Sequence, residues 1–249
     1  MDFGVTNASF ANQLDSARRS SLAGLLAGPT GAGTRPRFNE QERRWYLKQY
    51  GSQSNAYFTL QHGVQHFDLP GVGFISYFHS SSFGSPTSML FTRPVCSDEN
   101  LPVLVDAFLR DRPGPTMFVG MDAAAARVLE RRGYSVNQIG VEFNIPLQDF
   151  KVRGRQMKYL RTVQNYGKKG VEVRELPWSA IDPDEVRSIS EKWMRGKKVR
   201  GRELRVLTRP PEWQDAWGVR KFYCFDEGKM VGHVFFDPFF KDGRCIGYC

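Results

Sequence analysis

The stretch that decides the fold runs from Lys151 to Gly170 and reads KVRGRQMKYLRTVQNYGKKG. It carries Lys151, Arg153, Arg155, Lys158, Arg161, Lys168 and Lys169, and no acid appears before Glu172. Bases at this density repel one another, so the run calls for a polyanionic partner. At about 100° per residue, Lys151 to Tyr166 is expected to form a helix on which Lys151, Arg155 and Lys158 share a face. Arg161 and Asn165 continue one side of it, and Met157, Leu160 and Val163 supply an apolar side. Tyr159 and Tyr166 interleave with the bases and can stack on unpaired nucleotides. A second basic cluster, Lys192 to Arg209, has Glu203 as its only acid and reads as a loop around KKVRGR.

The totals agree with a polyanion-binding globular protein. The chain has 249 residues and a formal charge of +9, with 41% hydrophobic residues, enough for one large or two small cores. Charge alone does not choose among nucleic acid, anionic lipid and a phosphorylated ligand. Cys96, Cys224, Cys245 and Cys249 show no CxxC spacing, and His62, His66 and His79 lack ligand spacing. Reduced thiols and no metal site are therefore expected. No stretch approaches the ~18 apolar residues of a membrane span. The N-terminus lacks a signal peptide's basic start and apolar block. The expected location is the cytoplasm, at most peripheral to a membrane.

Outward from the basic run, residues 1–36 read as a flexible arm rich in Ser, Ala and Gly. Its GPTGAG lacks the Gly-Lys-Ser/Thr of a phosphate loop. A helix is expected from Asn39 to Gly51, then strands at Ala56–Gln61, Val72–His79 and Ser88–Thr92. A helix over Glu99–Arg110, a strand at MFVG and an Asp122-capped helix follow. Tyr134–Ile145 reads as a long extended segment. The second half repeats the plan, with a strand at Gly170–Leu176, a helix at Asp182–Met194 and a hairpin about Glu227-Gly228. DGRCIGYC reads as a further turn entering a strand, and a mixed half that stops there is expected to be a fragment of a longer chain. The expected domains are 1–36, 37–147 and 148–249.

Three pieces then carry a family resemblance: GYSVNQIGVEFNIPLQDFKVRGRQMKYLRTVQNYGKKGVEVRE, ISEKWM, and VGHVFFDPFFKDGRCIGY. Together they resemble the C-terminal domain of phosphatidylglycerol lysyltransferases and their relatives. The resemblance spans roughly Phe38 to Cys249 and is strongest after Gly133. It implies an α/β fold of two tandem GNAT-like acyltransferase copies, the second incomplete at its C-terminus. It also implies transfer of an aminoacyl group from charged tRNA to a lipid head group or a small amine or hydroxyl acceptor. The tRNA is the donor substrate, and no further cofactor is expected.

An aminoacyl ester is already activated, so the protein must hold the polyanion, seat the amino acid and admit the nucleophile. No Gly-x-Ser-x-Gly elbow is present, so direct attack by the acceptor is expected. The tRNA-binding candidates are Lys151, Arg155, Lys158, Arg161, Asn165, Lys168 and Lys169. Asp237 is the chosen partner for the amino group, because it ends VGHVFF where the implied fold splays its central strands. Alternation puts His233 on the same face as Phe235 and Asp237, as a base or as a core histidine. Glu191 and Trp193 are assigned to the aminoacyl pocket, with Glu203 and Asp215 as further acids. The alternatives are a CoA-dependent N-acyltransferase, which RPVCSDEN disfavours for want of a glycine, and a non-catalytic nucleic-acid-binding module.

Overall fold

A computed structural model describes residues 37–80, 86–196 and 214–249. The N-terminal arm, Glu203 and most of the second basic cluster lie outside the described residues. The chain divides into two units, one of residues up to Asn137 together with Phe239–Cys249, the other Gln138–Pro238.

The first unit opens with α1, Glu40–Tyr50. Asn39 and Glu42 form a reciprocal capping box there, each side chain accepting from the other's backbone N–H at 2.7 and 2.9 Å. Ala56–Leu60, expected as a strand, is a 3-10 turn. Local bonds win in that short segment: Ala56 N–H donates to Gln53 O, Phe58 N–H to Asn55 O and the Thr59 hydroxyl to Ala56 O. Strands β1 (Gln65–Leu69) and β2 (Gly73–Ser80) then form an antiparallel hairpin. β3 (Thr87–Leu90) adds antiparallel to β2, and β4 (Val95–Cys96) pairs β2 elsewhere. After helix α2 (Leu101–Asp111), β5 (Thr116–Phe118) joins β3 in parallel, and α3 (Ala123–Glu130) follows. Asp122 caps α3 by accepting from Ala125 N–H at 2.8 Å. The core lies between α2, α3 and the sheet, where Phe108 meets the rings of Phe67 and Tyr77 edge-on at 5.6 and 5.3 Å.

Gly73 is required where β2 meets β4. A Cβ there would stand 2.3 Å from Val95 O and 2.7 Å from Cys96 Cβ, at φ +156°. Gly73→Ala must push the two strands apart. The substitution is expected to lower the melting temperature by several degrees, readable by circular dichroism.

Residues 134–146, expected as a long extended segment, run without helix, turn or bend, and no strand ladder includes them. The last strands, β9 (Pro238–Lys241) and β10 (Arg244–Tyr248), turn about Asp242-Gly243. Residues from Phe239 onward belong to the first unit because they bond to the end of α1. Phe240 N–H donates to Gly51 O, Asp242 N–H to Gln49 O and Gly243 N–H to Lys48 O.

In the second unit, α4 is Lys158–Gly167 and α5 is Pro183–Arg195. The antiparallel sheet runs β6–β7–β8, from Val171–Glu175, Arg220–Asp226 and Lys229–Phe236. Glu227 and Gly228 both have positive φ, as a tight two-residue hairpin requires. Asp182 caps α5 through Asp184 N–H, and Val186 is buried against Tyr223 and Met230.

Candidate functional site

The basic run is exposed, but its expected helical face does not form across its whole length. Helix α4 begins only at Lys158, after a 3-10 turn at Arg155–Met157. Gly154 sits at φ +85°, which a right-handed helix cannot absorb, so Lys151 lies before the break, whereas Arg155 opens the 3-10 turn that leads into Lys158. The carbonyl of Gly154 instead accepts from Arg161 Nη1 at 2.6 Å. Arg161 thereby closes the entry to α4 and is half-buried, while Lys151, Arg155, Lys158, Asn165, Lys168 and Lys169 are exposed. Lys169 Nζ lies 5.6 Å from the Tyr166 ring centre, a cation–π contact at the exposed end of the helix. Leu160 and Val163 are exposed too, so the apolar side of α4 is not buried as its pattern implied.

His233 lies opposite Tyr223 in the β7–β8 ladder, beneath α5. Its ring is 5.2 Å from that of Phe235, on the shared face that alternation predicts. Ser190 Oγ is 2.9 Å from Val186 O and donates its only proton there. At 3.4 Å, His233 Nε2 must therefore supply the proton between the two side chains. Nδ1 keeps the lone pair and is buried with no partner among the described residues, as is Tyr223 Oη. Ser190 is thus not an activated nucleophile. Burial holds His233 below the usual imidazole range, and it pushes Tyr223 up to about 12, with the Asp215 charge adding to it.

A stability consequence follows from the depressed imidazole. The unfolded chain takes up its proton near pH 6.5, the folded chain at lower pH. The contribution is fully present above about pH 6.5 and is lost as pH falls through the folded value. His66 in the first unit, half-buried with Nε2 2.8 Å from Thr59 O, acts with the same sign. Urea melts between pH 7.5 and 5, roughly the range over which histidine titrates, are expected to show falling stability. His233→Gln should remove part of that slope.

Lys221 was not anticipated. It is buried, its ammonium donates to Gln214 O, and it stands 3.8 Å from Asp215. Trp178 and Phe235 flank it at 5.2 and 5.3 Å. Asp215 also accepts from Trp178 N–H at 2.8 Å, so it is committed to holding this loop. The strand pairing Lys221–Phe235 and the Trp178–Asp215 bond bring these groups together, and no local motif announces it.

Asp237 is half-buried at the one-residue junction between β8 and β9. Glu191 is exposed on α5, and Trp193 is 62% exposed, so the two do not wall a pocket among the described residues. In the first unit, Arg93 pairs with Asp98 and, at 3.0 Å, with Asp122. One guanidinium thus faces two carboxylates, and the loop before α2 keeps a net negative charge that disfavours a pyrophosphate. Burial pushes the nearby Cys96 thiol up to about 12, which leaves it unreactive.

Comparisons with known proteins identify the frame in which these residues sit. No curated protein sequence matches. Among solved structures, L-PGS from Bacillus licheniformis is similar at TM-score 0.64 and 17% identity, over 85% of this chain and 65% of that one. The C-terminal domain of a protein named as a lysylphosphatidylglycerol synthetase from Agrobacterium fabrum is similar at TM-score 0.62 and 17% identity. That match covers 81% of this chain and 63% of the other. The chain thus spans about two thirds of the length of the neighbours it matches, and at this identity they establish the mixed α/β, GNAT-like fold. No described helix is long and apolar enough to cross a membrane. The family model for the C-terminal region of phosphatidylglycerol lysyltransferase matches residues 44–247, and the chain belongs to that family.

Proposed function

We propose that this chain moves an aminoacyl group from charged tRNA to a lipid head group, the acceptor attacking the ester directly. Family membership across residues 44–247 carries the reading. In the step, an acceptor hydroxyl oxygen bonds to the ester carbonyl carbon. The carbon–oxygen bond to the terminal ribose breaks, and the acceptor's proton ends on the departing ribose oxygen.

The exposed bases Lys151, Arg155, Lys158, Lys168 and Lys169 hold the tRNA backbone, and Tyr159 and Tyr166 offer faces for its unpaired terminal bases. Asn165, exposed on the same helix, adds a hydrogen-bonding amide. Asp237 receives the ammonium of the amino acid in a charge-assisted bond. His233, enclosed beneath α5, positions the strand that leads to Asp237, while Glu191 and Trp193 lie further out on α5.

Incubation with a panel of radiolabelled aminoacyl-tRNAs and phosphatidylglycerol tests the reading. Label moving from one tRNA into the lipid supports it. Equal binding of charged and uncharged tRNA without transfer would leave a nucleic-acid-binding module, and acyl transfer from a CoA thioester would replace the donor. Asp237→Asn is expected to lower transfer at least tenfold with an unchanged melting curve. Full turnover would return Asp237 to the role of a turn residue.

A further inference from the structure

Two apolar faces of the second unit are open, and they are neighbours in the chain. On α4, Met157, Leu160, Val163 and Gly167 recur at helical spacing along one side, with Lys158, Thr162 and Asn165 opposite. Leu160 and Val163 are exposed, and so short a helix with no packed side is marginal in water. On the sheet, Lys221, Tyr223, His233 and Phe235 lie on the face beneath α5. Alternation therefore turns Val173, Phe222, Cys224, Val234 and Phe236 to the other face. Phe222 and Phe236 meet edge-on there at 5.7 Å, and Val173 and Val234 are 63% and 47% exposed. The first unit covers its β1–β2 hairpin from both sides. Tyr46 of α1 meets Phe74 on one face, and Phe108 of α2 meets Phe67 and Tyr77 on the other.

We infer that α4 is a strap that closes its apolar side over this open face of β6–β8. Three features select α4 as the occupant. Only Lys168, Lys169 and Gly170 separate it from β6, a link of the length that ordinarily folds a helix back onto the sheet of its next strand. Gly154 and Gly170 bracket it at φ +85° and +113°, and a Cβ at either would meet no atom within 4 Å, so both ends can turn without breaking a packed contact. The charges match as well. Val171 pairs with Asp226, and Glu227 follows, both acids exposed, so closure brings Lys168 and Lys169 to two carboxylates. Lys158 and Asn165 stay on the outer side when the strap closes.

Cys224 lies on the open face and reports closure itself. With Cys245→Ser and Cys249→Ser in the full chain, and Cys96 buried, iodoacetamide reads Cys224 alone. Leu160→Ser with Val163→Ser is expected to speed its alkylation by about tenfold, because two apolar side chains no longer favour the closed state. A short bismaleimide should join Leu160→Cys to Cys224 within one chain, and Thr162→Cys, on the opposite side of α4, far more slowly. Equal alkylation of the parent and the serine variant, or equal linking from positions 160 and 162, would overturn the strap. Linking between chains, with a dimer in light scattering, would make the occupant a second copy and overturn it too. Every arm is run without tRNA, so the strap stands apart from the aminoacyl-transfer reading. Transfer without closure would remove the strap alone, and closure without transfer would remove that reading alone.

Discussion

Reversal of Lys158, Arg161 and Lys169 together to glutamate is expected to weaken tRNA binding by about a hundredfold at low salt and to flatten its salt dependence. Each lost phosphate contact removes roughly 0.7–0.9 from the slope of log affinity against log salt. Arg161 is half-buried and spends one guanidinium nitrogen on Gly154 O, so its share is smaller than that of the two exposed lysines. The expected flattening is therefore nearer two units than three. The fold should persist. Glutamate at position 158 stands at the N-terminus of α4, where negative charge is favoured, and position 169 lies beyond its last turn. Filter binding across a salt series measures both quantities, and an unchanged slope would remove the basic run from tRNA recognition.

The largest effect on stability is expected at Arg43. Its guanidinium stands 2.6 Å from Asp68 Oδ2, which also accepts from Phe38 N–H at 3.0 Å, and the Asp68 side chain is only 2% exposed. Arg43→Met leaves that carboxylate buried without its counter-charge, a loss of about 3–5 kcal/mol. Urea unfolding should show it as a lower midpoint with an unchanged slope. Arg43→Met with Asp68→Asn should recover most of the loss, because the amide oxygen still accepts from Phe38 and no charge remains. A single variant as stable as the parent would mean that water reaches Asp68.

These two predictions differ in how far the sequence reveals them. The basic run is visible in one line of residues, since charge density needs no neighbour to be recognised. The Arg43–Asp68 pair is invisible there, with twenty-five positions separating its members. The same division runs through the fold. Helix starts at Asn39, Asp122 and Asp182 were legible because a cap is a bond between residues two or three apart. The Glu227-Gly228 hairpin was legible because its turn requires positive φ at both positions. β1 escaped notice, since QHFDL lacks the β-branched run of a buried strand and exists by pairing with β2. Ala56–Leu60 carried strand-like residues, but hydroxyl and backbone bonds within the segment outweighed that preference.

The candidate site divides likewise. Asp237 and His233 were found because strand alternation is a local rule. The tautomer of His233 was not, since it depends on where Ser190 sends its proton, two elements away in the chain. Lys221 reads as one more surface base and is buried between Trp178 and Phe235.

Sequence by itself determined the helix starts, the Glu227-Gly228 hairpin, the basic run, the family and hence the fold class. All of these rest on composition, on residue patterns and on bonds between near neighbours. Tertiary structure decided where α4 begins, which unit takes the last eleven residues, which charges are buried and which apolar faces stay exposed. Those outcomes depend on contacts between residues far apart in the chain, and on a single left-handed glycine at position 154 that cuts the basic run in two.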